Sequence, residues 1–145
     1  MSTLHVVFRV DDGEYVLPAS EVLHMESFTS ATRVPGTLPY VAGVVQVRGR
    51  VLPVIDLRVR FGLPTRTPTL DSRILIVAHG ARMVGLLADS AREIVRIEEA
   101  LLRAPPELIG TQAAGFVTEV AELGTRFVMR IDAKRIIGEE TIHGD

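Results

Sequence analysis

The chain has 145 residues, 47% of them apolar, with a formal net charge of −2 and a sequence pI near 6.1. That length allows one domain, or two small subdomains sharing a core, and suffices to bury a core without covalent staples. With no Cys, disulfides, thiolate metal sites and a cysteine nucleophile are excluded.

Leu4–Val10 is a β-branched apolar run and Glu14–Leu17 a second, with Asp11-Asp12-Gly13 between them. Asp-Gly between apolar runs predicts a hairpin, because both residues tolerate φ > 0. Pro18-Ala19-Ser20 breaks the pattern, and Val22–Phe28 reads as the next strand. Thr29–Pro39 is a loop. Val41–Arg48 and Arg50–Leu57 form a second predicted pair, bent at Gly49. Pro53 cannot donate to a ladder, which points to an edge or a bulge. Asp56 is placed to N-cap a short helical turn that Gly62 ends. Pro64–Ser72 reads as a linker, after which strands restart at Arg73–Ala78, Met83–Ala88 and Glu93–Ile97. Phe116–Leu123 and Arg126–Ile131 flank Gly124, and Asp132 caps a last helix ending at Gly138. Many short strands and no long helical periodicity predict an all-β protein.

The restart is a repeat. Val7–Gly13 aligns with Ile74–Gly80, Ala42–Val45 with Ala114–Val117, and Arg50–Gly62 with Arg126–Gly138. The last window holds four identities, Arg50/Arg126, Ile55/Ile131, Asp56/Asp132 and Gly62/Gly138. A duplicated pattern of this kind predicts two small β-barrels packed together, with the groove between them as a natural binding site.

The mean hydropathy of +0.28 with 23% charged residues excludes a disordered chain. Apolar runs such as Val41–Val45 and Ile74–Ala78 are too short to insert in a membrane. The N-terminus carries no basic and apolar signal region, so a cytoplasmic protein is expected. Fifteen of the sixteen basic residues are Arg; only Lys134 is Lys. Residues 48–73 gather six Arg, and residues 89–122 seven acids. Two solvated faces explain this, and so do complementary ends that match other proteins by charge. A nucleic-acid partner is not expected at this charge.

A search for chemistry returns little. His5, His24, His79 and His143 are scattered, and the terminal two read as solvated. Ser20 and His24 would lie about 13 Å apart along a strand, too far for a nucleophile and its base. Asp11-Asp12 reads as turn chemistry, and no phosphate, dinucleotide or zinc motif occurs. The expectation is a protein that is not an enzyme and needs no cofactor or metal. Its alternative is a small ligand-binding or enzymatic barrel using His24 near the inter-barrel groove. A third reading, an RNA-binding barrel, has little basic and aromatic patterning behind it. Arg48 stands at a bend between apolar strands, where it reads equally as a solvated hairpin arginine or as an interface anchor.

Gln46-Val47-Arg48-Gly49, followed by Pro53-Val54-Ile55-Asp56-Leu57-Arg58, resembles the CheW-like domain, the coupling module of bacterial chemotaxis arrays. Val34-Pro35-Gly36 and Val84–Ile94 extend the resemblance over nearly the whole chain. It implies two SH3-like five-stranded β-barrels side by side, with a few short helical turns. Tentative subdomains are 1–65 and 66–145, with strand exchange between them allowed. It implies a non-enzymatic adaptor linking chemoreceptor signalling tips to the regulatory domain of the histidine kinase CheA, with other CheW-like domains as ring partners. Position by position, Arg48 and Gly49 match the family's Asn-Leu-Arg-Gly motif. Val22, His24 and Met25 match the strand lining the receptor groove, Val44 lies on the neighbouring strand, and Arg58 is a further partner candidate. The sequence departs from the family at Gln46-Val47 and at His24, where an acid is common. Glu26, on the same strand face, is the substitute carboxylate for Arg48.

Overall fold

The computed structural model describes residues 1–107 and 112–143. Ten strands are formed: β1 Ser2–Val10, β2 Gly13–Pro18, β3 Val22–Ser27, β4 Val41–Val47, β5 Arg50–Asp56, β6 Arg73–His79, β7 Arg82–Ala88, β8 Ser90–Glu98, β9 Val117–Leu123 and β10 Arg126–Ile131. A single turn, α1 Leu57–Arg60, follows β5, and α2 Ala133–His143 follows β10. Each expected strand is present: β1, β2, β6, β7 and β8 run longer than expected, β3, β4, β5 and β9 end or begin one residue short, and β10 matches. The helical segment that Asp132 caps ends at Gly138, as expected, and a second segment follows it within α2. Gly138 takes φ 62° and ψ 161°, and helical backbone resumes after this kink. The side chain of His143 lies outside the described set.

The strands make two five-stranded sheets, ordered β8-β1-β2-β10-β9 and β3-β6-β7-β5-β4. Shifting every strand number by five, cyclically, converts one order into the other. The repeat is therefore structural: β1 corresponds to β6, β3 to β8 and β5 to β10. Each half of the chain sends strands into both sheets. β2 pairs in parallel with β10, and β5 in parallel with β7. A cut near residue 65 divides both sheets, with strands exchanged between the two halves. The reason is pairing: each half's opening hairpin finds its parallel partner in the other half's closing hairpin.

Three apolar cores follow from strand alternation. In β1, Val6, Phe8 and Val10 enter a large core shared by the two sheets. Val7 points the other way, into a small core with Val16, Ile97, Ala121 and Val128. In β6, Leu75 and Val77 join the shared core, while Ile74 and Ile76 join Phe28, Val47, Leu52 and Val54. Strands covered on both faces need unbroken apolar runs, which is why β1 and β6 do not alternate with polar residues. Each fully buried Leu or Ile contributes roughly 1.5–3 kcal/mol of burial. The shared core fills the space between the sheets. What remains open at their boundary is a depression of about 330 Å³ lined by Asp12, Gly13, Tyr15, Phe61 and Leu63, among others.

Local expectations are corrected at two points. His5 is fully buried, not solvated. β1 already begins at Ser2, so His5 pairs with Pro18 and Val95 and faces the inside of its sheet. Its Nδ1 bonds the Thr3 carbonyl at 3.0 Å, and its Nε2 has no partner. Pro53 is on an interior strand, not at an edge or bulge. The parallel ladder to β7 covers only Val54–Asp56, so Pro53 sits just outside it and no ladder bond is lost.

Candidate functional site

Four hairpins join strands through two-residue turns: Asp11-Asp12, Arg48-Gly49, Gly80-Ala81 and Gly124-Thr125. In every one the first turn residue has positive φ: Asp11 55°, Arg48 52°, Gly80 62° and Gly124 65°. This geometry matches the twist of the strands and suits Gly and Asp. Arginine gains nothing locally from it, and a Cβ at positive φ costs roughly 1–2 kcal/mol. Arg48 therefore holds a strained position that Gly124 fills in the repeat. Gly49 follows at φ 81° with open space around its Cβ position, so the backbone and not crowding demands glycine.

The side chain of Arg48 is 68% exposed, and its Nη2 lies 3.5 Å from Glu26 Oε2. Glu26 is on β3, and β3 and β4 are the two edges of their sheet. The pair thus spans a cleft of about 400 Å³ between those edges, whose lining includes Val44, Gln46 and the Ser27–Ser30 segment. Val44 is held by a two-way backbone bridge to Thr32, at 2.9 and 2.8 Å. The bridge is possible because residue 43 is Gly: a Cβ there would stand 2.3 Å from the Thr32 carbonyl oxygen.

Register sorts the remaining candidates. Val22 pairs with Val77 and Met25 with Leu75, so both lie on the face toward the shared core. Met25 is 37% exposed at the rim of that face, and Leu23, in the bulge between Val22 and His24, is 48% exposed. His24 pairs with Ile76 and Glu26 with Ile74, which places these two on the opposite face. The structure therefore brings Arg48, Gly49, Val44 and Glu26 to one cleft. Val22 and Met25 mark the other side of β3, and His24 does not join them. Leu23 is an exposed apolar residue that strand alternation alone does not reveal, because the bulge turns it outward.

Arg58, the further partner candidate, makes a structural clasp. Its side chain is only 10% exposed. Nη1 donates to Asp89 Oδ2 at 2.6 Å, Nη2 to Asp11 Oδ1 at 3.1 Å and Nε to the Pro64 carbonyl at 3.0 Å. It ties α1 to the β1–β2 turn and to the β7–β8 junction. Arg60 makes a second clasp. Its Nε donates to the Ile136 carbonyl at 2.8 Å, and the guanidinium carbon lies 4.0 Å from the Tyr40 ring centroid and 4.9 Å from that of Phe116. Burial pushes the Asp56 carboxyl above its ordinary range, although the N–H groups of Arg58 and Val59 and the Arg58 charge pull it down. In the other sheet Arg126 donates to both Glu14 and Glu93, and this bonding holds the Glu93 carboxyl below the usual range.

Among the described residues no His, Asp and Glu side chains converge to hold a metal ion. The acids and bases instead pair with one another or cap backbone groups, and the exposed features are a strained arginine and an apolar sheet edge. Such a surface belongs to a protein-binding module. A CheW-like domain profile matches residues 4–141. The chemotaxis protein CheW of Bacillus subtilis is 33% identical over 136 residues, covering 94% of this chain and 87% of that protein. Protein PilI of Pseudomonas aeruginosa is 34% identical over 82 residues, covering 57% and 46%. The crystal structure of the scaffolding protein CheW from Thermoanaerobacter tengcongensis superposes with a TM-score of 0.85 at 31% identity, covering 94% of this chain and 93% of that one. The chain belongs to the CheW-like domain family, and is a chemotaxis adaptor and not an enzyme.

Proposed function

We propose that this adaptor works in the cytoplasm and couples chemoreceptor signalling tips to the regulatory domain of the histidine kinase CheA. It would hold the two in fixed geometry, and its barrel ends would meet other CheW-like domains. Arg48, Gly49 and Val44 would form one contact, with Val22 and Met25 on the other face of β3 forming the apolar one. His24 is left to modulate the first of these. The observation that carries this reading is Arg48. Among four equivalent hairpin turns, one replaces Gly or Asp with Arg at positive φ and exposes 68% of its side chain. Strain kept at an exposed position is a mark of function, since stability would favour its removal. No helix among the described residues is long and apolar enough to cross a membrane.

Calorimetric titration with a purified kinase regulatory domain and with a receptor tip tests the reading. Micromolar binding of both, weakened about tenfold for one of them by Arg48→Ala at unchanged thermal midpoint, is the expected result. Binding of neither would sink it.

A further inference from the structure

Glu26, its side chain 31% exposed, is the carboxylate that meets the one exposed strained arginine. Its contact is poor. Charge-assisted N–H···O bonds usually lie near 2.7–2.9 Å, whereas Arg48 Nη2 stands 3.5 Å from Glu26 Oε2 through a single nitrogen. No other acceptor for the Arg48 fork is present among the described residues. Compare Arg126 in the other sheet, which ties β10 to β2 and to the edge strand β8. It meets Glu93 at 2.9 and 2.7 Å and Glu14 at 3.1 and 2.5 Å, so its donors are spent. The repeat counterpart of Glu93 is His24, not Glu26: Glu93 follows the β8 bulge and pairs with Val7, as His24 follows the β3 bulge and pairs with Ile76. The sheet of β8 thus surrounds its arginine with two carboxylates, and the sheet of β3 leaves Arg48 with a single carboxylate in loose contact.

Backbone geometry sets this looseness. The turn fixes the Cα of Arg48, and the ladder to β6 fixes Glu26 across the cleft. Arg48 and Glu26 are also the only charged side chains lining that cleft, so it is neutral at rest. The Ser27, Thr29, Ser30 and Thr32 side chains beside it offer hydroxyls to a displaced carboxylate.

We infer that Glu26 is an internal competitor for Arg48. It is a resident carboxylate that an acidic segment of a protein partner must displace, so that the cleft selects partners able to grip the guanidinium bidentately. The inference rests on the coupling role proposed for Arg48. An exposed ion pair is worth up to about 1 kcal/mol, a factor of about five, so its removal should tighten binding about two- to fivefold.

The test is a double-mutant cycle by calorimetry with the kinase regulatory domain and the receptor tip. Glu26→Gln should tighten, about two- to fivefold, the partner that Arg48→Ala weakens. In the Arg48→Ala background the gain should vanish. Weaker or unchanged binding by Glu26→Gln overturns the inference while leaving the coupling role intact. A gain that persists without Arg48 also overturns it, because it would report net charge alone. If Arg48→Ala weakens neither partner, the role proposed for Arg48 falls first. A partner-free measurement covers the inference itself. A short Glu-rich peptide at low salt should shift the Arg48 side-chain nitrogen resonances at two- to fivefold lower concentration in Glu26→Gln than in the unaltered chain. Equal concentrations would overturn the competitor role.

Discussion

The two sheets have one strand order and one turn geometry, but they distribute their arginines differently. In the sheet of β1, β2, β8, β9 and β10, the closing arginine is Arg126, in the first position of β10, with two carboxylates around it. In the sheet of β3–β7, the first position of β5 is Arg50, and the residue that reaches across is Arg48, two places earlier in the turn. Gly124 holds the corresponding turn position in the repeat. Moving the arginine from strand to turn exchanges a saturated ion-pair network for an exposed, half-paired cation. A duplicated scaffold can thus spend the same residue type on closure in one copy and on recognition in the other.

The largest expected effect tests a similar split between Arg58 and its repeat counterpart Lys134. Arg58→Ala strips the cation from Asp11 and Asp89 in a largely buried cluster, and should cost about 3 kcal/mol in urea denaturation. Lys134 is exposed, so Lys134→Ala should stay within about 0.5 kcal/mol. Equal losses would erase the difference between the halves.

Next comes the pair of closing arginines. Arg126→Ala should lower stability by about 1–2 kcal/mol, less than its number of contacts suggests, because its side chain is 35% exposed. Arg48→Ala should leave stability nearly unchanged and act on partner affinity. The reverse pattern would show that closure and recognition were assigned to the wrong sheets.

A smaller effect comes from Asp56, whose folded-state pKa is raised by burial. The native state therefore holds this proton to higher pH than the unfolded chain does. Its contribution is full below the unfolded value of about 3.9 and declines as pH rises through the raised folded value. Asp56→Asn keeps a capping oxygen for the Arg58 N–H and removes the charge. It should be more stable than the unaltered chain at pH 7, and the gain should shrink toward pH 4. A pH-independent difference would place the effect in the cap alone.

The smallest expected effect is a gain. Arg48→Gly relieves the positive-φ strain and should stabilise by about 0.5 kcal/mol, net of glycine's added chain entropy. Loss of partner binding in this more stable variant would separate function from stability at one residue.

Strand positions, the β-class and the duplication were legible in the sequence because they depend on local rules. Apolar runs, Asp and Gly at turns, and the Ile55-Asp56 and Ile131-Asp132 caps each act within a few residues. The Arg bias of the composition also gains a partial account. Arg58, Arg60 and Arg126 each bind several acceptors in a planar fork, which a lysine cannot do. The proximity of Glu26 to Arg48 was legible as well, through the same-face spacing of β3.

Other features depended on which strands meet. Nothing local says that β2 pairs with β10 or β5 with β7, so strand exchange and the shared core appear only when both halves are present. Burial of His5 and Arg58 follows from that assembly. Arg58 is within a motif that points to partner contact, but Asp11 and Asp89, 47 and 31 residues away in sequence, draw it inside. The bulge that exposes Leu23 and parts His24 from Val22 and Met25 is likewise a matter of pairing with β6. Composition alone specifies a 145-residue chain with enough apolar content for a core and no Cys for covalent chemistry. The sequence by itself determined that much, together with the turns and the strained arginine. Only the tertiary structure decided which arginines are spent on holding the fold and which one remains for a partner, because that choice is made by carboxylates distant in the chain.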